Sequence, residues 1–161
     1  MRLKPIGVIR SPFFDLRDMP IQPAGARGKR GAVEVFEAYQ DGLAGLEGFS
    51  HIILIYRFHR SRGYSLKVVP FMDSVPRGVF ATRAPRRPNA LGLSVVRLAG
   101  MVDGVLQVEN VDILDGTPLL DIKPYVPDFD AAENASTGWL ARTGNDVRMH
   151  RSDNRFSHKA R

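Results

Sequence analysis

Proline and glycine cut this chain into short pieces. The 11 prolines and 15 glycines fall mostly between brief apolar runs. Proline removes a backbone donor and fixes φ, and glycine weakens helix interiors. Long helices are therefore excluded over most of the sequence, and short strands joined by turns are favoured. The runs predict strands at Ile6–Arg10, Ala32–Phe36, His51–Phe58, Leu66–Val69, Val79–Ala81, Leu93–Met101, Val105–Glu109 and Leu119–Tyr125. Asp103-Gly104, set between two of them, is a strong hairpin signal. Helices are expected only near Glu37–Leu46 and, after a Ser136 N-cap, over Thr137–Arg142. No stretch follows the strand–helix–strand rhythm, so the pattern points to a barrel or a sandwich.

The segment His51–His59 is read by face. Its even positions, Ile52, Leu54, Tyr56 and Phe58, form an unbroken apolar row that belongs in a core. Its odd positions mix Ile53 and Ile55 with His51, Arg57 and His59, a face covered in the middle and open at its ends.

With 161 residues the chain is long enough for one domain with a real core. It contains no cysteine, which excludes disulfides, thiolate nucleophiles and cysteine-ligated metals. No apolar run reaches the roughly 20 residues of a membrane span. The start, broken by Lys4, Arg10 and two prolines, does not read as a signal peptide, and a cytoplasmic location is expected. The net charge is +6, and residues 142–161 carry six Lys/Arg against two Asp/Glu. The expected organisation is a domain over 1–141 and a basic tail over 142–161, partly ordered at best. Such a tail suits a polyanion such as RNA or simply stays solvated.

Familiar chemistry is absent. There is no G-x-G-x-x-G, no Walker loop, no H-E-x-x-H and no G-x-S-x-G. His51 and His59 lie about 26 Å apart on a regular strand and share no metal; no metal site is expected. Asp112, Asp115 and Asp121 leave carboxylate chemistry open, although two of them read as turn residues.

Two segments are denser in special residues than a connector needs. From Gly78 to Leu93 a strand enters a loop stiffened by Pro85 and Pro88. That loop presents Arg83, Arg86, Arg87 and Asn89. From Asp112 to Tyr125 an Asp115-Gly116 turn with Pro118 joins two apolar runs, and Asp121, Lys123 and Tyr125 share one face of the second.

These segments, with Ile6-Gly-Val-Ile-Arg-Ser-Pro-Phe13, Gly48-Phe-Ser-His51, Phe58-His59, Gly78–Arg83, Arg87-Pro-Asn89 and Asp115-Gly-Thr-Pro…Asp121-Ile-Lys-Pro-Tyr125, resemble the TsaA-like family in order over about residues 1–130. The resemblance implies a mainly β fold, a single-sheet, non-Rossmann β-barrel with short peripheral helices. It also implies S-adenosylmethionine as cofactor, a homodimer, and methylation at N6 of threonylcarbamoyl-adenosine next to a tRNA anticodon. Carried over by position, cofactor contacts fall on Pro20, Ile21 and Gln22, His59 and Arg60, Arg83 with Leu93, and Leu114, Asp115, Gly116 and Thr117. Substrate contacts are expected from Arg86, Arg87, Asn89, Asp121 and Tyr125. The family often has Ser-Thr-Phe where this chain has Ala84-Pro85-Arg86, Pro at Ala90 and Arg at Ile21.

Methyl transfer from a sulfonium needs alignment, dryness and removal of the N6 proton rather than a metal. Asp121, Asn89 and His51 are the candidate bases at this stage, and Arg148, Arg151 and Arg155 candidate phosphate contacts. A methyltransferase of the same barrel acting on a small molecule, or a non-enzymatic S-adenosylmethionine- or RNA-binding module, are the competing readings.

Overall fold

The computed structural model describes residues 3–17, 19–142 and 148–156. Eight strands form: β1 (Gly7–Arg10), β2 (Arg30–Val35), β3 (His51–Arg57), β4 (Lys67–Val68), β5 (Arg77–Gly78), β6 (Leu91–Val102), β7 (Val105–Glu109) and β8 (Thr117–Pro124). Six close into one antiparallel barrel in the order β1-β2-β7-β6-β3-β8, and β4 and β5 form a separate ribbon. Closure leaves no free barrel edge. The hairpin between β6 and β7 turns at Asp103 and Gly104, with φ of 48° and 75°, as a two-residue primed turn requires.

The face reading of β3 holds. Ile52 and Leu54 are fully buried and Tyr56 nearly so, packed with Ile9, Val33, Val96, Leu106, Val108 and Leu119. Each such side chain contributes about 1.5–3 kcal/mol by leaving water. Outside, Ile53 pairs with Val95 and Ile55 with Leu93 in the β3–β6 register.

Three expectations are corrected. Val79–Ala81 is a 3-10 turn rather than a strand, because the Thr82 amide and hydroxyl both donate to the Val79 carbonyl and close the chain there. The helix near Glu37–Leu46 is a 3-10 helix over Glu37–Leu43, and Gly45, with φ of 82°, breaks it from a second over Leu46–Gly48. The helix after Ser136 is a 3-10 helix over Gly138–Arg142. The only α-helix among the described residues, α1 (Pro127–Asp130), was not expected from the sequence.

Residues 148–156 pack back onto the body. Arg151 forms a bridge with Pro20, and Ser152 exchanges hydrogen bonds with Met19. Phe156 meets Phe71 edge-on and packs against a small cluster of Val68, Val79 and Ala84. Among the described residues no helix is long and apolar enough to cross a membrane, and no group of side chains is arranged to hold a metal.

Candidate functional site

The end of β3 and the start of β6 open onto a cavity of about 630 Å³. Its wall is drawn from Leu16 and Met19–Gln22, from Tyr56 and Phe58–Ser61, from Phe71 and Phe80, from residues between Thr82 and Leu93, from Asp112–Leu114 with Thr117, and from Ser152, Asp153 and Phe156. Apolar walls come from Phe58, Phe71, Phe80, Leu93 and Ile113, and cations from Arg60, Arg83 and Arg87. A cavity of this size, mostly apolar with a few convergent polar groups, fits a cofactor-sized ligand.

Asp112 supplies the most informative group. The Ser94 hydroxyl donates to Asp112 Oδ1 at 2.6 Å. Because that uses the only serine hydroxyl proton, the Tyr56 hydroxyl must donate to Ser94 Oγ, 3.1 Å away. The result is a relay, Tyr56 to Ser94 to Asp112, that fixes one carboxylate oxygen of a residue in the cavity wall. Burial pushes the Asp112 carboxyl up to about 6, against which the Ser94 bond and the Arg83 charge pull only weakly. Burial, followed by the Asp112 charge, pushes Tyr56 up as well, so it stays protonated and a donor. The other acidic residue in the wall, Asp153, is paired with Arg155 at 2.8 Å.

His59 is fixed by the same reasoning. Thr117 Oγ1 donates to the Leu114 carbonyl at 2.6 Å, so His59 Nδ1 must donate to Thr117 Oγ1 at 3.3 Å. Its Nε2 is then an acceptor. Burial, then the charges of Arg60 and Arg57, hold the imidazole below its ordinary range, and it is neutral at neutral pH.

The Arg-rich loop is stiff. Arg87 Nη1 donates to the carbonyls of Thr82 and Ala84, and Arg83 Nη1 donates to Gln22 Oε1 at 2.8 Å. The second bond ties the loop to the segment between β1 and β2.

Residues 8–131 match the tRNA-methyltransferase O N-terminal domain. The chain belongs to the tRNA-methyltransferase O family. A probable S-adenosyl-L-methionine-binding protein of Pyrococcus abyssi is 53% identical over 153 residues, which cover 95% of this chain and 83% of the relative. The tRNA (adenine(37)-N6)-methyltransferase of Mus musculus is 38% identical over 140 residues, 83% of this chain but 32% of the mouse protein. The crystal structure of TrmO from Pseudomonas aeruginosa superposes with a TM-score of 0.73 at 43% identity, covering 86% of this chain and 62% of that one. The chain thus spans less than two thirds of that structure and about a third of the mouse protein.

Of the positions carried over from the family, Pro20, Ile21, Gln22, His59, Arg60, Arg83, Leu93, Leu114 and Thr117 line the cavity, as do Arg87 and Asn89. Asp115 and Gly116 stand behind it: their amides donate to the Phe13 and Ile9 carbonyls, and Asp115 Oδ1 accepts from the Ser11 amide. Asp121 lies on β8, paired with Lys123 at 2.8 Å, and Tyr125 stacks edge-on against His51; neither borders the cavity. His51 begins β3, about 16 Å along the strand from Tyr56, and does not border the cavity either. Arg86 also lies outside the wall, with its Nε buried and without a partner among the described residues. Arg155 is committed to Asp153, to the Pro70 carbonyl and to the face of Phe71.

Sequence reasoning missed Tyr56, Phe80, Ser152 and Phe156 as wall residues of this cavity, and left Asp112 as one of three open carboxylates. Tyr56 had a signal, the polar tip on an apolar row. Asp112 sat three residues before Asp115-Gly116 and read as part of a turn.

Proposed function

We propose that this protein is an S-adenosylmethionine-dependent methyltransferase acting at N6 of threonylcarbamoyl-adenosine beside a tRNA anticodon. The observation that supports this reading is the meeting, at one cavity that Asp112 also lines, of residues from the four sequence-distant regions that the family resemblance gives to the cofactor. The residues present fit the cofactor: apolar walls for the adenine, Arg60 and Arg83 for a carboxylate, and Asp112 as the unpaired anion. When bound, S-adenosylmethionine supplies a methyl group already activated on a sulfonium.

The chain's own task is then positional and acid–base. Arg60 and Arg83 would hold the cofactor, which would supply the methyl group, and the Asp112 carboxylate would accept the N6 proton of the acceptor. The Tyr56–Ser94 relay holds Oδ1 and so fixes the carboxylate in the cavity wall. A base of pKa near 6 is ionised at neutral pH yet strong enough to share a proton in the transition state. Neutral His59 offers Nε2 as an acceptor without adding a fourth cation. Arg87 presents the rest of its guanidinium to the threonyl carboxylate, a planar fork on a planar acceptor.

A homodimer and a cytoplasmic location belong to the same proposal. The exposed Leu91 and Leu93 continue the half-buried outer row of Ile53, Ile55 and Val95, an apolar strip suited to a second copy. Calorimetry with S-adenosylmethionine, followed by incubation with methyl-labelled cofactor and tRNA carrying threonylcarbamoyl-adenosine, tests the whole. Binding together with label in the tRNA is expected. No binding removes every enzyme reading, and binding with label left in the cofactor removes the tRNA substrate.

A further inference from the structure

A second cavity, of about 890 Å³, lies against the first. The two share Ile21, Gln22, Phe71, Phe80, Thr82, Arg83 and Phe156, so one wall separates them. The second is lined by Phe71, Phe80, Trp139 and Phe156, with Arg83 and Gln22 as its main polar groups and, among the described residues, no carboxylate in its wall. Two guanidinium groups lie over its rings, Arg77 at 5.7 Å from Trp139 and Arg155 at 5.2 Å from Phe71.

Phe80 is the element that a folded core does not explain. It is 74% exposed, yet it borders both cavities. The 3-10 turn that presents it is held on both sides: Thr82 closes it on Val79, and the Trp139 indole N–H donates to the Ala81 carbonyl at 2.8 Å. Trp139 therefore both faces the second cavity and braces the ring that divides the two. It lies in the 3-10 helix Gly138–Arg142, past the residues 8–131 that match the family domain.

Flat aromatic rings beside the Arg83 cation match the chemistry of an unstacked nucleobase on a phosphate backbone, while the Arg77 and Arg155 guanidiniums are held by Asp73 and Asp153. A purely apolar ligand would gain nothing from Arg83, and an acidic peptide would not need four aromatic rings. We propose that the second cavity is a subsite for an unpaired nucleotide of the RNA, next in the strand to the nucleotide that enters the first. The inference rests on reading the first cavity as a site of RNA methylation. It deepens that reading by making Trp139 a recognition residue.

Trp139 is the only tryptophan of the chain, so its fluorescence reports this cavity alone. The full-length protein, with S-adenosylhomocysteine present, is titrated with a short anticodon stem–loop RNA and separately with the same RNA annealed to its complement. Saturable quenching by the stem–loop and little by the duplex is expected. Labelled stem–loop affinity should fall about ten-fold in Trp139→Ala and stay within about two-fold of the parent in Trp139→Phe, which keeps a stacking face but loses the indole donor. Calorimetry of S-adenosylmethionine should give the same affinity in all three proteins. Equal quenching by the duplex overturns the proposal. So does equal weakening in both variants, which would make the indole hydrogen bond structural. A Trp139→Ala protein that sediments as a smaller species overturns it too, since the cavity would then belong to a contact between copies. Loss of cofactor binding in the parent protein would instead strike the reading of the first cavity, whatever Trp139 reports.

Discussion

Burial lifts the Asp112 carboxyl from 3.8 to about 6, and that shift has a sign for stability as well as for catalysis. The folded state binds this proton more tightly than the unfolded state does. Its contribution is therefore fully present below about pH 4, is lost as pH rises toward 6, and leaves a charged group buried at a cost above that. Asp112→Asn keeps an acceptor for Ser94 and removes the charge. At about pH 7.5 it should melt higher than the parent, by up to about 3 kcal/mol at roughly 1.4 kcal/mol per pKa unit, while turnover falls at least about 100-fold for loss of a general base. A thermal melt and a single-turnover assay on one preparation check both directions. In the parent protein kcat should decline below about pH 6 as the carboxylate is protonated. A flat acid limb would remove Asp112 as the base.

Among the elements, β6 shows how tightly the barrel wall and the site are joined. Gly92 pairs with Tyr56 across β3 and β6, and a Cβ at Gly92 would fall within the Tyr56 ring. Gly92→Ala should therefore push the phenol off Ser94, cost about 1–3 kcal/mol from overpacking, and reduce turnover as the relay loosens. Denaturant unfolding and the methyl-transfer assay measure the two effects, and unchanged values in both would show that the ring moves freely. The barrel strands were legible in the sequence because short apolar runs fall between Pro and Gly, the inward row of β3 is unbroken and Asp103-Gly104 fixes one register. Val79–Ala81 was not legible. Its residues favour a strand, but the Thr82 hydroxyl bonds backwards to Val79 and the local bond wins. The loop Pro20-Ile21-Gln22 reached the cavity only through family resemblance, since nothing in its spacing points 61 residues ahead to Arg83. Asp112 was left open beside Asp115 and Asp121, because the bond that sets it apart comes from Ser94 on a distant strand.

At the level of the whole molecule, the cavity is finished by residues that arrive late in the chain. Ser152, Asp153 and Phe156 wall it, and none of them contributes to the main barrel core. A chain ending at Arg142 should keep a cooperative melt yet bind S-adenosylmethionine at least about ten-fold more weakly, a loss of roughly 1.4 kcal/mol. Calorimetry beside a melting curve measures this, and unaltered affinity would show that residues 148–156 only lean on a site that is already complete.

Barrel closure also has a kinetic side. Strand β1 meets β2 within the first 35 residues, but its other neighbour is β8, so Ile9 waits for Thr117. Contacts this distant in sequence belong to the slow, non-local end of folding, on the order of milliseconds to seconds. Until β8 is synthesised, one side of β1 and one side of β3 are unpaired, open to any strand that comes near. For most of its emergence from the ribosome, then, this chain carries two sticky edges, and the step that removes both is the docking of a single eight-residue strand.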